Sequence, residues 1–302
     1  MDRMTAMETF VSVMEAGSFS AAARRLKLGQ PAVSKAIAQL ETRLGTPLLM
    51  RSTRGLTATD AGQRFYEHAR RAIEAADEAE QAARISASGL SGVLRVSAAT
   101  TFARLHILPA LKGFMDRYPE LEVDVTLDDR VIDLLGEGMD VALRMGTLDD
   151  SAMTARRLAQ CQRRVVGTPA YFAAEGIPRT PADLSGHRAI VYSQRGGGEA
   201  WAFSQQGREV AVSVSGRLRV SAAEGIRTAV LSDIGLAVAS HWMFSPELAD
   251  GTVQAVLNDW ALPPVDLWAV FPAGRRVTSR AQAFIEFVEE TMAAQTGTSL
   301  PA

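Results

Sequence analysis

Four side chains near the N-terminus have the types and the spacing that a helix needs to read DNA. Apolar residues recur around them at helical spacing, at Ala32, Val33, Ala36, Ile37 and Leu40. An amide, a hydroxyl and an ammonium group outside that apolar set can contact base edges in the major groove. The sequence therefore predicts a recognition helix with the outward-facing residues Gln30, Ser34, Lys35 and Gln39.

The segment before this helix is predicted to position it. Ser18 is a good N-cap for a short helix with an apolar stripe from Ala21 to Leu28, and we also include Ser18 among the candidate DNA contacts. Gly29 allows a sharp turn, and Pro31 fits the first turn of the next helix. Two amphipathic helices around a glycine also occur in many all-α domains, so this segment alone leaves both interpretations open.

The flanking residues favour DNA binding. A helix with an apolar face over residues 4–16 would complete a three-helix core. After a predicted helix end at Leu44-Gly45, a hairpin carries Arg51 and Arg54 at a basic tip, where they can contact backbone phosphate or the minor groove. We therefore predict the wing of a winged helix-turn-helix, with a solvated basic hairpin as the alternative.

Thr59 is predicted to cap a long helix that runs to about Ser86. Its apolar stripe, from Ala61 to Ala83, is narrow and rich in alanine. A helix of this length between domains usually buries such a stripe against a partner, so we expect a dimer contact. A linker rich in serine and glycine, Ser86 to Gly92, ends it.

From Val93 onward, strands alternate with helices, which is typical of a parallel sheet covered on both faces. The first unit is predicted to contain strands at 94–99, 121–127 and 140–146 and helices at 104–117 and 131–137. The second is predicted to contain strands near 163–167, 189–193, 210–214, 218–221 and 235–239 and helices near 170–175 and 223–231. A strand at 266–271 and a helix at 279–293 then return to the first unit. Two lobes joined by two crossings of the chain predict a ligand cleft.

Charge and composition exclude several classes of protein. Residues 1–64 carry a net charge of +4 and the remainder −6, which suits a protein that presents one end to phosphates. No apolar run is long enough to span a membrane and the N-terminus lacks the features of a signal peptide, so we expect a cytoplasmic protein without a membrane partner. The single cysteine, Cys161, is predicted to be a packed thiol, and no metal-ligand spacing is present.

Catalytic motifs are also missing from the sequence. It contains no nucleophile elbow, phosphate loop or paired-histidine spacing, and Gly196 to Gly198 lie in a predicted turn between strands rather than at the start of a helix. We therefore predict neither an enzyme nor a cofactor. The two-lobed part alone would also fit a solute-binding protein for small anions, but such a protein would have no use for the N-terminal third.

Together these residues resemble the LysR-type transcriptional regulators. The resemblance is strongest from Met7 to Gly62 and continues through LRVSAATTFARLHILPALKGFMDRYPELEVDVTL, DLLGEGMDVALRMG and GLAVAS. It implies a multidomain α+β protein with a winged helix-turn-helix over residues 1–58, a linker and dimerisation helix over 59–88, and a two-lobed α/β effector domain over 89–302 that resembles periplasmic binding proteins. Lobe I would span about 92–163 and 268–295, and lobe II about 164–267.

The resemblance also implies roles for individual residues and partners. The family's base-contacting positions fall on Gln30, Pro31, Ser34 and Lys35, and its wing arginine falls on Arg54. Lys35 occupies a position where arginine is common in the family. An arginine can form two hydrogen bonds with guanine, whereas a lysine presents only a point charge. The expected partners are double-stranded DNA, a small-molecule effector, further copies of the chain in a dimer or tetramer, and RNA polymerase.

The effector cleft of the family begins after the first strand of the effector domain, here at Thr100, Thr101 and Phe102. Hydroxyls and free N–H groups at a helix N-terminus suit an anion, although either threonine could also cap its own helix. The resemblance places the other candidates at Arg144, Met145, Gly146, Tyr192, Ser193, Ser221, Ala222 and Ala239. Arg144 is the predicted charge partner of the ligand, with a surface ion pair as the alternative.

Overall fold

The computed structural model describes residues 2–52, 55–83, 89–130, 132–148, 154–192, 200–272 and 277–296. The chain forms two compact units, one of Met1–Gly89 with Gly136–Gly138 and one of Leu90–Leu135 with Met139–Ala302. In the described residues, no helix is long and apolar enough to cross a membrane.

The first unit is a helical bundle with a small hairpin. Its elements are α1 (Arg3–Ala16), α2 (Phe19–Arg25), α3 (Gln30–Leu44), β1 (Leu49–Ser52), β2 (Gly55–Ala58) and α4 (Asp60–Ala83). Two predicted caps are confirmed: the Ser18 hydroxyl accepts the N–H of Ala21 at 3.2 Å, and the Thr59 hydroxyl accepts the N–H of Gly62 at 2.9 Å. Gly45 ends α3 in the left-handed region at φ 68°, as its position predicted.

The core of this unit joins all four helices. Phe10 of α1, Ala22 of α2 and Ile37 of α3 are buried in one cluster, and the rings of Phe10 and Phe65 meet edge to face with 5.2 Å between centroids. Two details of the prediction are wrong, because Ala32 and Leu28 are exposed. Leu28 lies in the turn between α2 and α3, and Ala32 lies in the first turn of α3.

The second unit contains the remaining elements. In chain order they are β3 (Gly92–Ala98), α5 (Thr100–Phe102), a π-turn (Ala103–Ile107), α6 (Leu111–Arg117), β4 (Leu121–Leu127), β5 (Val141–Met145), β6 (Thr154–Cys161), β7 (Arg163–Gly167), α7 (Pro169–Glu175), a 3₁₀ turn (Pro181–Gly186), β8 (Ile190–Tyr192), β9 (Ala200–Gln205), β10 (Arg208–Ser213), β11 (Leu218–Val220), α8 (Ala223–Leu231), β12 (Ala237–Ser240), a 3₁₀ turn (His241–Met243), α9 (Ser245–Asp250), β13 (Gln254–Val256), β14 (Val265–Phe271) and α10 (Ser279–Thr296).

Lobe I is built on a five-stranded sheet in the order β4-β3-β5-β14-β6. Strand β3 pairs in parallel with β4 and β5, whereas β14 is antiparallel to β5 and β6. The predicted parallel arrangement is confirmed for β3, β4 and β5, whereas the returning strand β14 joins the sheet in antiparallel pairs. The strands that leave and re-enter lobe I run in opposite directions beside each other, and Val265 of β14 pairs with Cys161 of β6. Residues 265–267 of β14 therefore belong to the sheet of lobe I, although this part of lobe I was predicted to begin at about residue 268.

The described residues of lobe II form three small sheets. Strands β8 and β11 are parallel, β12 and β13 flank β7 in antiparallel pairs, and β9 and β10 form a hairpin. Two buried clusters fill the lobe, one around Tyr171 and Phe203 and one around Ile226 and Phe244. The described residues therefore form two lobes that the chain crosses between β6 and β7 and again before β14.

Two helix predictions in lobe I need correction. The helix predicted at 104–117 begins earlier, at Thr100, and is interrupted by the π-turn and by turns at 108–110. The predicted helix over 131–137 is absent from the part that the structure describes, because residues 134–138 form turns. Gly136 and Gly138 lie in this short stretch, and glycines disfavour a continuous helix.

Candidate functional site

One face of α3 meets the chemical requirements for contact with a nucleic acid. Val33, Ile37 and Leu40 are buried in the core of the first unit. Gln30, Pro31 and Lys35 are exposed and Ser34 is half-buried, so four of the predicted contact residues lie outside the buried side of the helix. No side chain caps α3 at Gly29, and the N–H groups of Ala32 and Val33 donate to the Gly29 carbonyl at 3.0 and 3.2 Å.

The hairpin beside α3 has the short two-stranded form of a wing. Strands β1 and β2 pair in antiparallel register from Leu49↔Ala58 to Ser52↔Gly55. The backbone of Arg51 lies in β1 opposite Leu56, whereas Arg54 lies outside the described residues. The hydroxyl of Ser18 serves as a cap, so a DNA contact by Ser18 remains a prediction.

The wing is held at a fixed place on the recognition helix. The carboxylate of Glu41, in α3, accepts the N–H groups of Leu48 and Leu49 at 2.7 and 3.0 Å. The carbonyl of Leu48 in turn accepts the N–H of Thr59 at 2.9 Å. These bonds join α3, the hairpin and the start of α4, so that the two predicted DNA-contacting elements move together.

A second site lies where the two lobes of the second unit meet, at the carboxyl ends of β3, β4, β8 and β11. Asp129, in the loop after β4, accepts the N–H of Thr100 at 2.8 Å through Oδ1. Its Oδ2 accepts the N–H of Ala223, at the start of α8, at 3.3 Å. Ligands of open α/β sheets bind at carboxyl ends of strands, and here the anion at that place is a carboxylate of the chain itself.

A further polar contact joins the lobes beside Asp129. The hydroxyl of Thr101 donates to Glu224 at 3.0 Å, and the guanidinium of Arg104 lies 3.0 Å from the same carboxylate. Thr101 is buried, whereas the Arg104 and Glu224 side chains are about half exposed. Neither threonine caps its own helix in this structure, since α5 has no side-chain cap.

Arg144 supports the loop that carries Asp129. Its guanidinium donates to the carbonyl of Asp128 at 3.2 Å and to the hydroxyl of Ser97 at 2.9 Å. Hydrogen bonds from Arg130 hold the pKa of Asp128 at about 2, and the charge of Arg144 contributes to the same shift. The part that Arg144 plays in binding a ligand remains a prediction.

Tyr192 ends β8 close to the same loop. Burial raises the pKa of its phenol to about 12, and the negative charge of Asp129 adds to the shift. Ala222 is the residue before α8, and Ser221 precedes it in an exposed position. The N–H of Thr100 therefore binds the Asp129 carboxylate directly. Thr101 and Ala222 are each next in sequence to a residue whose N–H binds that carboxylate, and the phenol of Tyr192 is affected by its charge.

Other predicted effector contacts lie elsewhere or have other neighbours. Phe102 is buried in the core of lobe I, 5.6 Å from the ring of Trp242, and Ala239 is buried in lobe II, where it pairs with Arg164. Met145 packs against the core of lobe I, and the Gly146 carbonyl accepts the indole N–H of Trp268 at 2.8 Å. Ser193 lies outside the described residues. Effector contact by these residues stays a prediction.

Two residues of this site were missed from the sequence. Asp129 could have been found as an acid directly after a strand, at the edge where parallel strands place their ligands. Glu224 could have been found as the acid in the first turn of α8. The predicted packed thiol is confirmed: Cys161 is buried, and burial raises its pKa. No group of metal-ligating side chains occurs in the described residues.

A helix-turn-helix with a two-stranded hairpin, followed by a two-lobed α/β domain, is the architecture expected of a regulator that binds DNA and a small molecule. Residues 4–63 match the family described as "Bacterial regulatory helix-turn-helix protein, lysR family", and residues 87–293 match the "LysR substrate binding domain". The chain therefore belongs to the LysR-type transcriptional regulators.

Individual relatives agree with this assignment. An HTH-type transcriptional regulator of Xanthomonas campestris pv. campestris is 35% identical over 92% of this chain and 82% of its own length. The regulator CrgA of Neisseria meningitidis serogroup C is 32% identical over 95% of this chain and 96% of its own.

Solved structures also resemble the whole chain. A CrgA structure from Neisseria meningitidis has a TM-score of 0.60 at 30% identity and covers 96% of this chain and 99% of its own. The Vibrio cholerae virulence activator AphB has a TM-score of 0.57 at 26% identity, with 99% and 100% covered.

Proposed function

We propose that this protein is a cytoplasmic, sequence-specific DNA-binding regulator whose action changes when a small anionic molecule binds between its two lobes. The exposed face of α3 carries the proposal, because Gln30 and Lys35 are held outward by a helix whose other face is buried. A face that presents an amide and an ammonium group fits the major groove. The protein acts without catalysis and without a cofactor.

The anionic character of the effector is supported by the cleft. Two N–H groups there, at Thr100 and Ala223, already bind a carboxylate, and the dipoles of the helices they begin favour negative charge. Arg104 and Arg144 add positive charge close to the same loop.

Assembly is part of the proposal. Helix α4 has 24 residues and is about 36 Å long, and its apolar stripe continues past the residues that pack on α1. We propose that this helix pairs with its equivalent in a second copy, and that dimers form the tetramer that the family resemblance favours. Bound to DNA, the assembly contacts RNA polymerase.

The decisive experiment is a nuclease footprint with the purified protein on DNA upstream of its own gene. We expect a protected site, and its loss in the double variant Gln30→Ala, Lys35→Ala. A matched control is Lys112→Ala, which removes an exposed lysine from lobe I and should leave the footprint unchanged. No protection of any site by the wild-type protein would contradict the proposal.

Single variants separate base reading from backbone anchoring. Gln30→Ala should relax the base preference, whereas Arg54→Ala should weaken binding to all sequences and lower the salt slope by about 1. Identical profiles for the two variants would show that these roles are wrongly assigned. The effector class is tested by melting the protein with aromatic and aliphatic acids, since a ligand of the folded state raises Tm.

A further inference from the structure

The Asp129 side chain forms hydrogen bonds to both lobes of the second unit. We propose that its carboxylate is a latch, which keeps lobe I and lobe II joined when no effector is bound. This inference rests on the proposed function, because it concerns the regulation of the cleft to which that function assigns the effector. The latch consists of the Asp129 side chain and the N–H groups of Thr100 and Ala223.

The backbone that carries Asp129 belongs to lobe I. The N–H of Asp128 donates to the carbonyl of Ala98 in β3 at 3.0 Å. Arg144 of β5 donates to the Asp128 carbonyl at 3.2 Å and to Ser97 of β3 at 2.9 Å. Since these bonds fasten the loop to the central strands of lobe I, the bond from Asp129 to Ala223 is a bond between the lobes.

The two N–H groups have reason to keep this carboxylate. Both lie in the first turn of helical segments, where an N–H has no acceptor within the helix. An ordinary capping residue lies beside its own helix, but Asp129 is 29 residues from Thr100 and 94 from Ala223. One ionised group that serves two distant helices forms charge-assisted bonds only while the lobes are together.

Beside the latch, the buried Thr101 hydroxyl of lobe I donates to Glu224 of lobe II at 3.0 Å, whereas two other contacts between the lobes differ in kind. Trp242, which follows β12 of lobe II, is 5% exposed and packs in the core of lobe I against Phe102, and its carbonyl lies 2.8 Å from Nε2 of His106. That contact is buried and persists if the lobes turn. The pair of Arg104 with Glu224 is half exposed, so it contributes little.

The geometry thus separates a pivot from a latch. Trp242 provides a buried pivot. The hydrogen bonds of Asp129 are polar, so water can replace them without disturbing the apolar core. Opening the latch frees lobe II to turn about Trp242, and rigid-body rotation of this kind is a common way to transmit binding. Without the latch, the effector-free protein samples the open arrangement.

The latch is tested by hydrogen exchange of single amides in the full-length protein, without DNA or effector. In Asp129→Ala, the amides of Thr100 and Ala223 should both exchange about tenfold faster or more, because each loses a charge-assisted acceptor. In Asp129→Asn, one carbonyl oxygen remains and should stay on Thr100, where the bond is shorter. Ala223 should then exchange faster while Thr100 keeps its protection.

Asp128→Asn is the matched control, since the Asp128 carboxylate bonds Arg130 in its own loop. It should leave the Ala223 amide at the wild-type rate. The latch would be refuted if the Ala223 amide exchanged at the wild-type rate in both Asp129 variants. It would also be refuted if Asp128→Asn raised the exchange rate of that amide as much as the Asp129 variants do. If exchange is unchanged in the Asp129 variants, the latch is wrong, but the footprint still tests DNA binding. If the wild-type protein gives no footprint, DNA binding is wrong, but the exchange experiment still tests the latch. The two proposals can therefore be refuted independently.

Discussion

Replacing Gly62 by alanine should loosen the DNA-binding unit at one defined point. Gly62 lies in the first turn of α4, and an added Cβ would stand 2.0 Å from the carbonyl oxygen of Leu48 and 2.9 Å from its carbonyl carbon. The obstacle is backbone, which no side-chain rotation can remove. Leu48 cannot retreat easily, because its N–H is bound by Glu41 at 2.7 Å and its carbonyl by Thr59 at 2.9 Å.

The expected loss of stability follows from two opposing effects. Overpacking of this kind costs up to about 3 kcal/mol, and alanine in place of glycine in a helix returns about 1 kcal/mol. The net loss in the free energy of unfolding is therefore about 2 kcal/mol. Gly113→Ala is the control, because Gly113 is exposed in α6 and a Cβ there meets nothing within 4 Å. It should be neutral or stabilising by up to about 1 kcal/mol.

The two units can be measured separately in one protein. All four tryptophans lie in the second unit, so tryptophan fluorescence during denaturation reports that unit alone. Amide exchange in α1 and α3 reports the first unit, and a loss of 2 kcal/mol should speed exchange of its most protected amides about thirtyfold. Unchanged exchange in α1 and α3, or an equal shift of the tryptophan transition, would refute the reasoning.

Three further predictions concern stability. Ser18→Ala removes the cap of α2 and should cost about 1 kcal/mol, measured by amide exchange in the first unit, with no change if the cap is redundant. Asp140→Ala should lower the free energy of unfolding in the tryptophan-monitored transition by about 3–5 kcal/mol, because the buried Arg280 guanidinium loses this carboxylate, 3.2 Å away. A loss no larger than that expected for an exposed ion pair would contradict this. Hydrogen bonds from Arg227 lower the pKa of Glu247, so its contribution is present above the unfolded pKa of about 4.3 and is lost as pH falls through the folded value. Glu247→Gln should therefore flatten the decline of Tm below about pH 4.3, and parallel curves for variant and wild type would show that the pair does not govern it.

Much of the first unit could be predicted from its sequence because its signals are local. Ser18, Gly45 and Thr59 each act on residues within four positions, and the caps occur as predicted. The outward and inward sides of α3 also follow from a period of 3.6 residues. Ala32 is the exception, because it is exposed although it belongs to the predicted apolar set.

The second unit was predicted less completely because its sheets pair residues far apart in the chain. The directions of β3, β4 and β5 follow from alternation with helices, but the antiparallel entry of β14 depends on the path through lobe II. The helix predicted over 131–137 was wrong, because a short apolar stretch is compatible either with a helix or with a turn between two elements.

The sequence by itself determined the class of this protein: the order of its elements, the polar face at Gln30 and Lys35, and the threonines that begin a helix at the edge of a sheet. These are properties of neighbouring residues, which periodicity and caps express directly. Only the tertiary structure decided what the cleft holds. Asp129 meets Thr100 and Ala223 across 29 and 94 residues, and no local pattern records which distant N–H groups a carboxylate will reach.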